Sequence, residues 1–421
     1  MTNDFVHLRF HSEYSLMDSC CSIKDSKKEA LKKGFSALAI TDTANMAGTI
    51  RFYKECMKTE DKDGNKLEVI KPILGSLVYV VDGDMKKHGE GDHRPIILLA
   101  KDNGGFENLK KISHIAQTEG FSEVTQKPRI DNAILDQYKD GLVMVATDLN
   151  GPIHRQLRRK NVEEAEKLAH MYKDMFGEDL YLEVQNNEQA DQDFVNSGIV
   201  SLGSGAGIKL VGTNDVRYFD KNHHHAHLVL RALDKRQTVK SRKFSAVRTD
   251  QRYFKTGAEM AEAFKDFPEE LGVLKNTVEV AEKCNVNLKF GGMRLPEFDL
   301  PDGFSTDWDY LKHLAFEGLK LRGLSDKKEY VDRLEEELFD VFMVNETKSY
   351  NFARYFLMVW DYANHAQDNG GRIGIGRGSA CGSLLLYVLR VTKIDPMEHG
   401  LYWWRFLTVD KSRYIDQDCF I

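Results

Sequence analysis

The chain has 421 residues, of which 42% are apolar and 29% charged, with a formal net charge of −6 and six cysteines. This length predicts about two to four domains, and the ordinary apolar fraction excludes a disordered chain. The mild negative charge excludes a surface that is basic throughout, and the cysteines show no Cys-x-x-Cys spacing that would indicate a zinc site. Because neither a signal peptide nor a long apolar run is present, we expect a cytoplasmic protein that does not contact a membrane.

Short apolar runs alternate with amphipathic stretches in the N-terminal half. We predict a helix over 25–33 and strands over 5–11, 37–41, 73–81, 96–100, 142–146 and 210–213. This α/β pattern favours a parallel sheet or barrel, and functional residues in such folds collect at the carboxyl ends of the strands.

The first predicted strand alternates apolar and polar residues in the order Val6-His7-Leu8-Arg9-Phe10-His11. In a regular strand its three polar side chains share one face, next to Ser12 and Asp18. Such a polar face has the layout of a metal-binding cup.

Two polar stretches follow the last strand of this half. The run His223-His224-His225-Ala226-His227 could be read as a metal site, but consecutive histidines fan apart on a helix and no suitable partner is nearby, so we expect at most adventitious nickel binding. The basic residues between Lys235 and Lys255 could approach a phosphate backbone, or they could form a solvated linker face.

The middle of the chain predicts helices over 259–267 and 276–285, a proline-bearing linker over 295–303, and long helices over 307–324 and 327–344. We place the boundary between the two halves near Asn285. The expected organisation is a first domain over 1–270, a connecting segment over 271–300 and a second domain over 301–421.

The segment 374–383, Gly-Ile-Gly-Arg-Gly-Ser-Ala-Cys-Gly-Ser, is the strongest candidate for phosphate binding. Its glycines Gly376 and Gly378 allow backbone N–H groups to approach phosphate oxygens, and Arg377 can donate to two oxygens at once. The hydroxyls of Ser379 and Ser383 can donate too, and the N-terminal amides of a predicted helix over 384–389 would point at the same anion. The alternative is an ordinary turn before a helix.

Two carboxylates, Asp416 and Asp418, follow near the end of the sequence. In an extended strand they project from the same face, where they could bridge two Mg²⁺ ions, the arrangement that nucleotidyl transfer requires. The alternative is a solvated loop with scattered acids.

Several motifs in one order resemble the palm of bacterial C-family replicative DNA polymerases, the family of DNA polymerase III alpha subunits. They are Tyr355-Phe-Leu-Met-Val-Trp-Asp361, Gly376-Arg-Gly-Ser379, Asp395-Pro396, Arg405-Phe-Leu407 and Asp416-x-Asp418. The resemblance implies that residues 376–379 contact the phosphates of the incoming nucleotide and that Asp416 and Asp418 bind two Mg²⁺ ions. It also implies, less directly, that Arg405 assists nearby phosphates.

The palm motifs depart from the family pattern at two points. Phe420 occupies the last acidic position of the family motif, and the sequence stops at Ile421, before the family's remaining catalytic aspartate. We therefore expect an N-terminal part that is inactive alone: an experimental fragment, the first half of a split polymerase that needs a C-terminal partner chain, or an extein half ending near Cys419.

The N-terminal half resembles the PHP domain that opens these polymerases, a phosphoesterase-type (β/α) barrel with a metal site in its active members. The matching stations are 39–42, 71–75 and 213–217. Several positions that would carry metal ligands hold other residues here, namely Arg9, Thr43, Leu77, Pro95 and Arg217. Four of the ligand positions keep a residue that can bind a metal, namely His11, Asp18, Asp42 and Asp215. Because guanidinium groups cannot ligate a cation, we expect Arg9 and Arg217 to form ion pairs with Asp42 or Asp215 and the domain to be catalytically silent.

The resemblance as a whole implies a PHP-type barrel followed by an incomplete nucleotidyltransferase-like α+β palm. Its implied substrates are primer-template DNA and deoxynucleotides, and its implied partners are a 3′–5′ exonuclease subunit on the PHP domain and a sliding clamp bound through downstream regions. A non-catalytic assembly scaffold and an autonomous PHP phosphoesterase remain as alternatives, the latter disfavoured by the missing histidines.

Overall fold

The computed structural model describes residues 4–60, 64–87, 93–241, 249–290, 295–348 and 351–408. The chain divides into two compact units, Met1–Leu288 and Lys289–Ile421.

The first unit is built on a seven-stranded sheet in the order β1-β2-β3-β5-β6-β7, with β4 beside the end of β2. Its strands are β1 (Ala37–Thr43), β2 (Lys71–Val81), β3 (Arg94–Ala100), β4 (Ile130–Asp131), β5 (Leu142–Ala146), β6 (Leu180–Gln185) and β7 (Lys209–Thr213). Neighbouring strands are parallel except that β3 runs antiparallel to both β2 and β5. The predicted α/β class is confirmed, but the sheet is mixed rather than wholly parallel.

Residues 5–11 link the two edges of this sheet, so that it curls into a barrel. On one side, the β1 amides of Ala39 and Thr41 donate to the carbonyls of His7 (3.1 Å) and Phe10 (2.8 Å). On the other side, the amide of His11 donates to the carbonyl of Val216, just after β7, at 3.1 Å.

The segment 5–11 is not a regular strand, and the predicted sharing of one face by its polar residues is wrong. His7 and Phe10 both pack on the ring of Phe254, although residues three apart lie on opposite faces of a regular strand. The alternation therefore breaks between them. His7 joins an aromatic cluster with Phe5 and Phe35, away from Arg9.

Ten α-helices accompany the sheet in the described part of the first unit. They are α1 (Ile23–Lys32), α2 (Thr49–Met57), α3 (Asn103–Thr118), α4 (Asn132–Gln137), α5 (Pro152–Arg158), α6 (Val162–Phe176), α7 (Gln192–Ala206), α8 (His224–Asp234), α9 (Gly257–Ala263) and α10 (Lys275–Lys283). Successive residues of a strand pack into two different apolar clusters. Leu38 and Ile40 belong to the larger cluster, which most of the helices share, and Ala39 belongs to a smaller one. The helix α10 contributes Val280 to the smaller cluster.

The regular elements of the second unit, within its described residues, are all helical. They are α11 (Asp307–Leu321), α12 (Lys328–Lys348), α13 (Phe352–Asp368), α14 (Leu384–Val388) and two 3₁₀ turns, Gly378–Gly382 and Trp403–Arg405. One apolar core joins the four α-helices. No helix in the described parts of either unit is long and apolar enough to cross a membrane.

Candidate functional site

A cavity of about 600 Å³ opens in the first unit at the end of the barrel where β1 and β5 finish. Its lining includes every position at which the resemblance predicted a lost metal ligand, namely Arg9, Thr43, Leu77, Pro95 and Arg217. Carboxyl ends of parallel strands are the usual place for functional residues in such barrels. The structure therefore brings these separated positions to one site.

Arg9 lies at the floor of this cavity and is only 1% exposed. Its guanidinium donates to Asp148 Oδ2 (2.9 Å) and Glu183 Oε2 (3.1 Å), and its Nε lies 3.0 Å from Asp215 Oδ1. Burial lowers the pKa of Arg9, but the three carboxylates outweigh burial and raise it above its usual value. A permanent positive charge thus occupies the floor of the cup.

Asp215 is the most heavily paired acid of the site. It lies within 3.3 Å of the side chains of Arg9, Arg217, Arg252 and His11. Burial raises the pKa of this carboxyl, but Arg217, Arg9 and Arg252 hold it well below its usual range. The predicted pairing of Arg9 and Arg217 with Asp215 is therefore present.

Asp18 and His11 complete the polar floor. Asp18 pairs with Arg217 and, at 2.9 Å, with Arg231; burial raises its pKa, yet these two arginines bring it down to about 2. Burial, together with Arg217, lowers the pKa of His11 to about 4. His11 is therefore a neutral imidazole at neutral pH.

Within the described ranges Asp42 has no ion pair with an arginine, so of the two acids named in the prediction only Asp215 is paired in this way. It accepts hydrogen bonds from the amide (2.7 Å) and hydroxyl (2.6 Å) of Ser12 and from the hydroxyl of Ser15 (2.7 Å). These short side chains lie closer than any guanidinium of the described residues and satisfy both carboxylate oxygens. Burial nonetheless raises the pKa of Asp42.

Sequence reasoning missed three participants, Glu183, Asp148 and Arg252. Glu183 lies on β6, a strand that was not predicted, and it accepts hydrogen bonds from the hydroxyls of Thr147 and Thr213. A lone glutamate inside the run Leu180-Tyr-Leu-Glu-Val-Gln185 was the available signal, because an acid in a buried strand requires a partner.

The residues of the cup do not fit a metal ion. Its acids are engaged by guanidinium groups or hydroxyls, and no group of three or more His, Cys, Asp or Glu residues in the described ranges is arranged to hold a metal. In the histidine run, His227 is buried with Nε2 3.1 Å from the Asp18 carbonyl oxygen, and burial lowers its pKa to about 4.

The basic run after α8 is not one solvent-exposed patch. Lys255 is buried and donates to Asn214 Oδ1 at 3.0 Å, and Arg252 pairs with Asp215. Residues 242–248 of this run lie outside the described ranges.

In the second unit, the glycine-rich turn presents Arg377 and Ser379 to solvent. Gly376 and Gly378 have φ of +117° and +60°, conformations that L residues rarely adopt. A Cβ atom at Gly376 would also lie 3.0 Å from Cys381 Sγ. Among the described residues Arg377 has no ion-pair partner, so the backbone is fixed while its guanidinium is available.

The N-terminus of α14 does not offer free amides to an anion, which corrects the prediction for this helix and for Ser383. The buried carboxylate of Glu337 accepts from the amides of Leu384 (2.8 Å) and Leu385 (2.9 Å) and from the Ser383 hydroxyl (3.0 Å). Burial raises the pKa of Glu337 to about 7. A protein carboxylate thus already occupies the position proposed for phosphate.

Arg405 lies exposed on the turn Trp403–Arg405, which packs against the glycine-rich turn. Arg333 joins the two segments by donating to the carbonyls of Gly382 (3.0 Å) and Leu401 (3.4 Å). Asp416 and Asp418 lie outside the described residues.

Comparisons with known proteins match both units to described families. Residues 7–187 match the PHP domain and residues 309–420 match the bacterial DNA polymerase III alpha NTPase domain. DNA polymerase III subunit alpha of Borreliella burgdorferi is 35% identical to this chain, and the match covers 98% of this chain and 35% of the relative. The subunit of Aquifex aeolicus is 34% identical, with 99% of this chain and 36% of the relative covered. The subunit of Bacillus subtilis is 34% identical, with 98% of this chain and 34% of the relative covered. The chain spans about a third of the length of these relatives.

Among solved structures, an amidohydrolase from Chromobacterium violaceum with bound sulfate and no metal matches 50% of this chain and 87% of its own, at 12% identity and a TM-score of 0.28.

Proposed function

Because this chain carries the N-terminal PHP and polymerase regions of the bacterial DNA polymerase III alpha family, we propose that it is the N-terminal part of a DNA-directed DNA polymerase that adds deoxynucleotides to a primer 3′-hydroxyl. One observation carries the proposal at the site. Arg377 stands exposed on a turn whose glycines fix its backbone, without an ion-pair partner among the described residues.

In this proposal Arg377 binds the triphosphate of the incoming nucleotide through its two-pronged guanidinium, and the backbone of residues 376–379 lies against the same oxygens. Arg405, on the adjoining turn, neutralises a neighbouring phosphate. Asp416 and Asp418 are the carboxylates that would hold two Mg²⁺ ions, which supply charge neutralisation of the leaving pyrophosphate and a more acidic primer hydroxyl. Glu337 fixes the start of α14 and does not contact the nucleotide.

The test is primer extension by the chain after it is completed with its downstream polymerase polypeptide. Arg377→Ala is expected to lower extension about a hundredfold, the usual effect of losing one charged donor to a developing anion. Arg390→Ala is the matched control, because Arg390 is also exposed but is paired with Asp368.

Asp416→Ala and Asp418→Ala are expected to abolish extension. If the completed enzyme extends primers equally well with both substitutions, the metal assignment is wrong. A completed complex that assembles but never extends a primer would favour the alternative of a non-catalytic scaffold.

For the first unit we propose a catalytically silent PHP domain whose role is structural and that holds a separate 3′–5′ exonuclease subunit. The support is the pair of guanidinium groups, Arg9 and Arg217, which occupy the cup and repel divalent cations. The purified chain should show no metal-dependent exonuclease or phosphoesterase activity. Such an activity, if abolished by Asp215→Ala, would instead favour an autonomous PHP enzyme.

A further inference from the structure

We propose that the cavity of the first unit is an anion site that binds a phosphate-bearing molecule of nucleotide size without a metal ion. Seven of the 15 residues that line the cavity are Arg or Lys, against two Asp. The site lies in the first unit and is distinct from the glycine-rich turn proposed to bind the incoming nucleotide.

At the floor of the cavity the arginines and the acids are equal in number. The excess positive charge of the lining therefore comes from residues outside this group. Four arginines, Arg9, Arg217, Arg231 and Arg252, interlock with four acids, Asp18, Asp148, Glu183 and Asp215. These pairs engage both acids of the lining, and Arg158 pairs with Asp191 outside it, so the two acids of the lining are not available to Lys127 or Arg159.

Two cations at the mouth of the cavity, Lys127 and Arg159, have no carboxylate partner among the described residues. Lys127 is half-buried, and its Nζ lies 3.4 Å from the Tyr79 hydroxyl and 4.5 Å from the centre of that ring, with no carboxylate partner among the described residues. Burial, together with the like charges of Lys235 and Arg231, lowers its pKa. Arg159 is exposed at the same mouth and, within the described ranges, has no ion pair.

The chemistry of these groups favours phosphate as the ligand. Guanidinium groups bind two phosphate oxygens at once, and a lysine adds a point charge, whereas a divalent cation would be repelled. A volume of about 600 Å³ is within the range of small-molecule sites, roughly 300–1,000 Å³, and exceeds the need of a single phosphate. The expected ligand is therefore a compact anion with two or more phosphate groups.

The test is calorimetric titration of the whole chain with sodium tripolyphosphate and, separately, with ATP, both in EDTA. Saturable binding is expected, and Lys127→Met and Arg159→Gln should each weaken it by about tenfold, the usual effect of removing one charged donor. Lys110→Gln and Lys111→Gln, which remove two exposed charges on α3 outside the cavity lining, should leave binding unchanged. Because Arg159 is exposed, its variant tests the site even if the Lys127 variant is less stable.

Arg377→Ala separates this site from the proposed nucleotide site of the second unit and should leave tripolyphosphate binding intact. Equal affinity for both probes would indicate that phosphates alone are recognised, and tighter binding of ATP would add a nucleoside contact; both results support the site. The proposal is overturned if neither probe binds, if the cavity variants bind normally, or if Arg377→Ala abolishes binding. It is also overturned if a single-stranded oligonucleotide binds more tightly than both probes with the same dependence on Lys127 and Arg159.

Discussion

Replacing Asp215 by asparagine should strongly destabilise the first unit, because it removes one negative charge from a buried cluster. The carboxylate lies within 3.3 Å of three guanidinium groups and one imidazole. Asparagine keeps the shape and one oxygen acceptor, and it tolerates the φ of +49° at this position. The change Asp215→Asn therefore isolates the loss of charge from backbone strain.

The expected cost follows from the burial of the cluster. Removing one partner of a buried ion pair costs about 3–5 kcal/mol, because the opposite charge stays buried and uncompensated. Since asparagine retains an acceptor, we expect the lower end, about 3 kcal/mol. That corresponds to a fall in Tm of roughly 5–10 °C for a unit of this size.

The pH dependence of this effect has a definite sign. The arginines hold the pKa of Asp215 well below its usual range, so its stabilising contribution is complete above the unfolded pKa of about 3.9 and is lost as the pH falls through the lower folded value. The difference in unfolding free energy between the wild type and Asp215→Asn should be constant from about pH 5 to pH 8 and should shrink below about pH 4.

The assay is urea unfolding followed by two signals. All four tryptophans, Trp308, Trp360, Trp403 and Trp404, lie in the second unit, so their fluorescence reports that unit, whereas circular dichroism reports both. Asp215→Asn should shift the circular dichroism transition and leave the fluorescence transition in place.

Asp191→Asn is the matched control for this substitution. Asp191 also has a positive φ, of +66°, but its side chain is 56% exposed in its pair with Arg158, so its loss should cost less than about 1 kcal/mol. Adding Arg252→Gln to Asp215→Asn should recover part of the lost stability. Equal effects of the Asp215 and Asp191 substitutions would refute the account of the cluster.

Two further predictions concern the second unit and use the same fluorescence signal. Glu337→Gln should destabilise this unit by about 2 kcal/mol, because the new amide group faces a backbone N–H donor at the start of α14. The control Glu336→Gln, on the exposed side of α12, should have no effect. Equal effects of the two substitutions would exclude the capping of α14 by Glu337. Gly376→Ala should cost about 1–2 kcal/mol because of its φ of +117° and the close approach to Cys381, whereas Gly374→Ala, which has open space, should be tolerated; an unchanged Gly376→Ala variant would contradict the strained turn.

Strands with undivided apolar runs could be predicted from the sequence. The run 142–146 was predicted with the bounds that β5 has, because an apolar strand of five residues has no competing helical period. β6 was missed because Glu183 interrupts its run, and the antiparallel direction of β3 could not be predicted because strand alternation is the same in both directions.

The polar contacts of both units were harder to predict, because they join residues far apart in the chain. Glu337 is 46 positions from Ser383, and nothing near it in the sequence distinguishes it from the exposed acids of α12. Asp42 bonds to Ser12 and Ser15 because of the path that the chain takes after His11. This path could not be predicted, because residues 5–11 do not keep the alternation of a regular strand.

The closure of the barrel by residues 5–11 also sets an order of events during synthesis. This segment leaves the ribosome before the strands of the sheet, yet part of the chain that pairs with it arrives late: Arg217, beside Val216, follows Asp18 by 199 positions. Until then the edge of residues 5–11 that pairs with Val216 remains open and Arg9 lacks its contact with Asp215, a state in which chaperones are most needed. We expect nascent chains arrested before β7 to aggregate, and those arrested well beyond it to resist proteases.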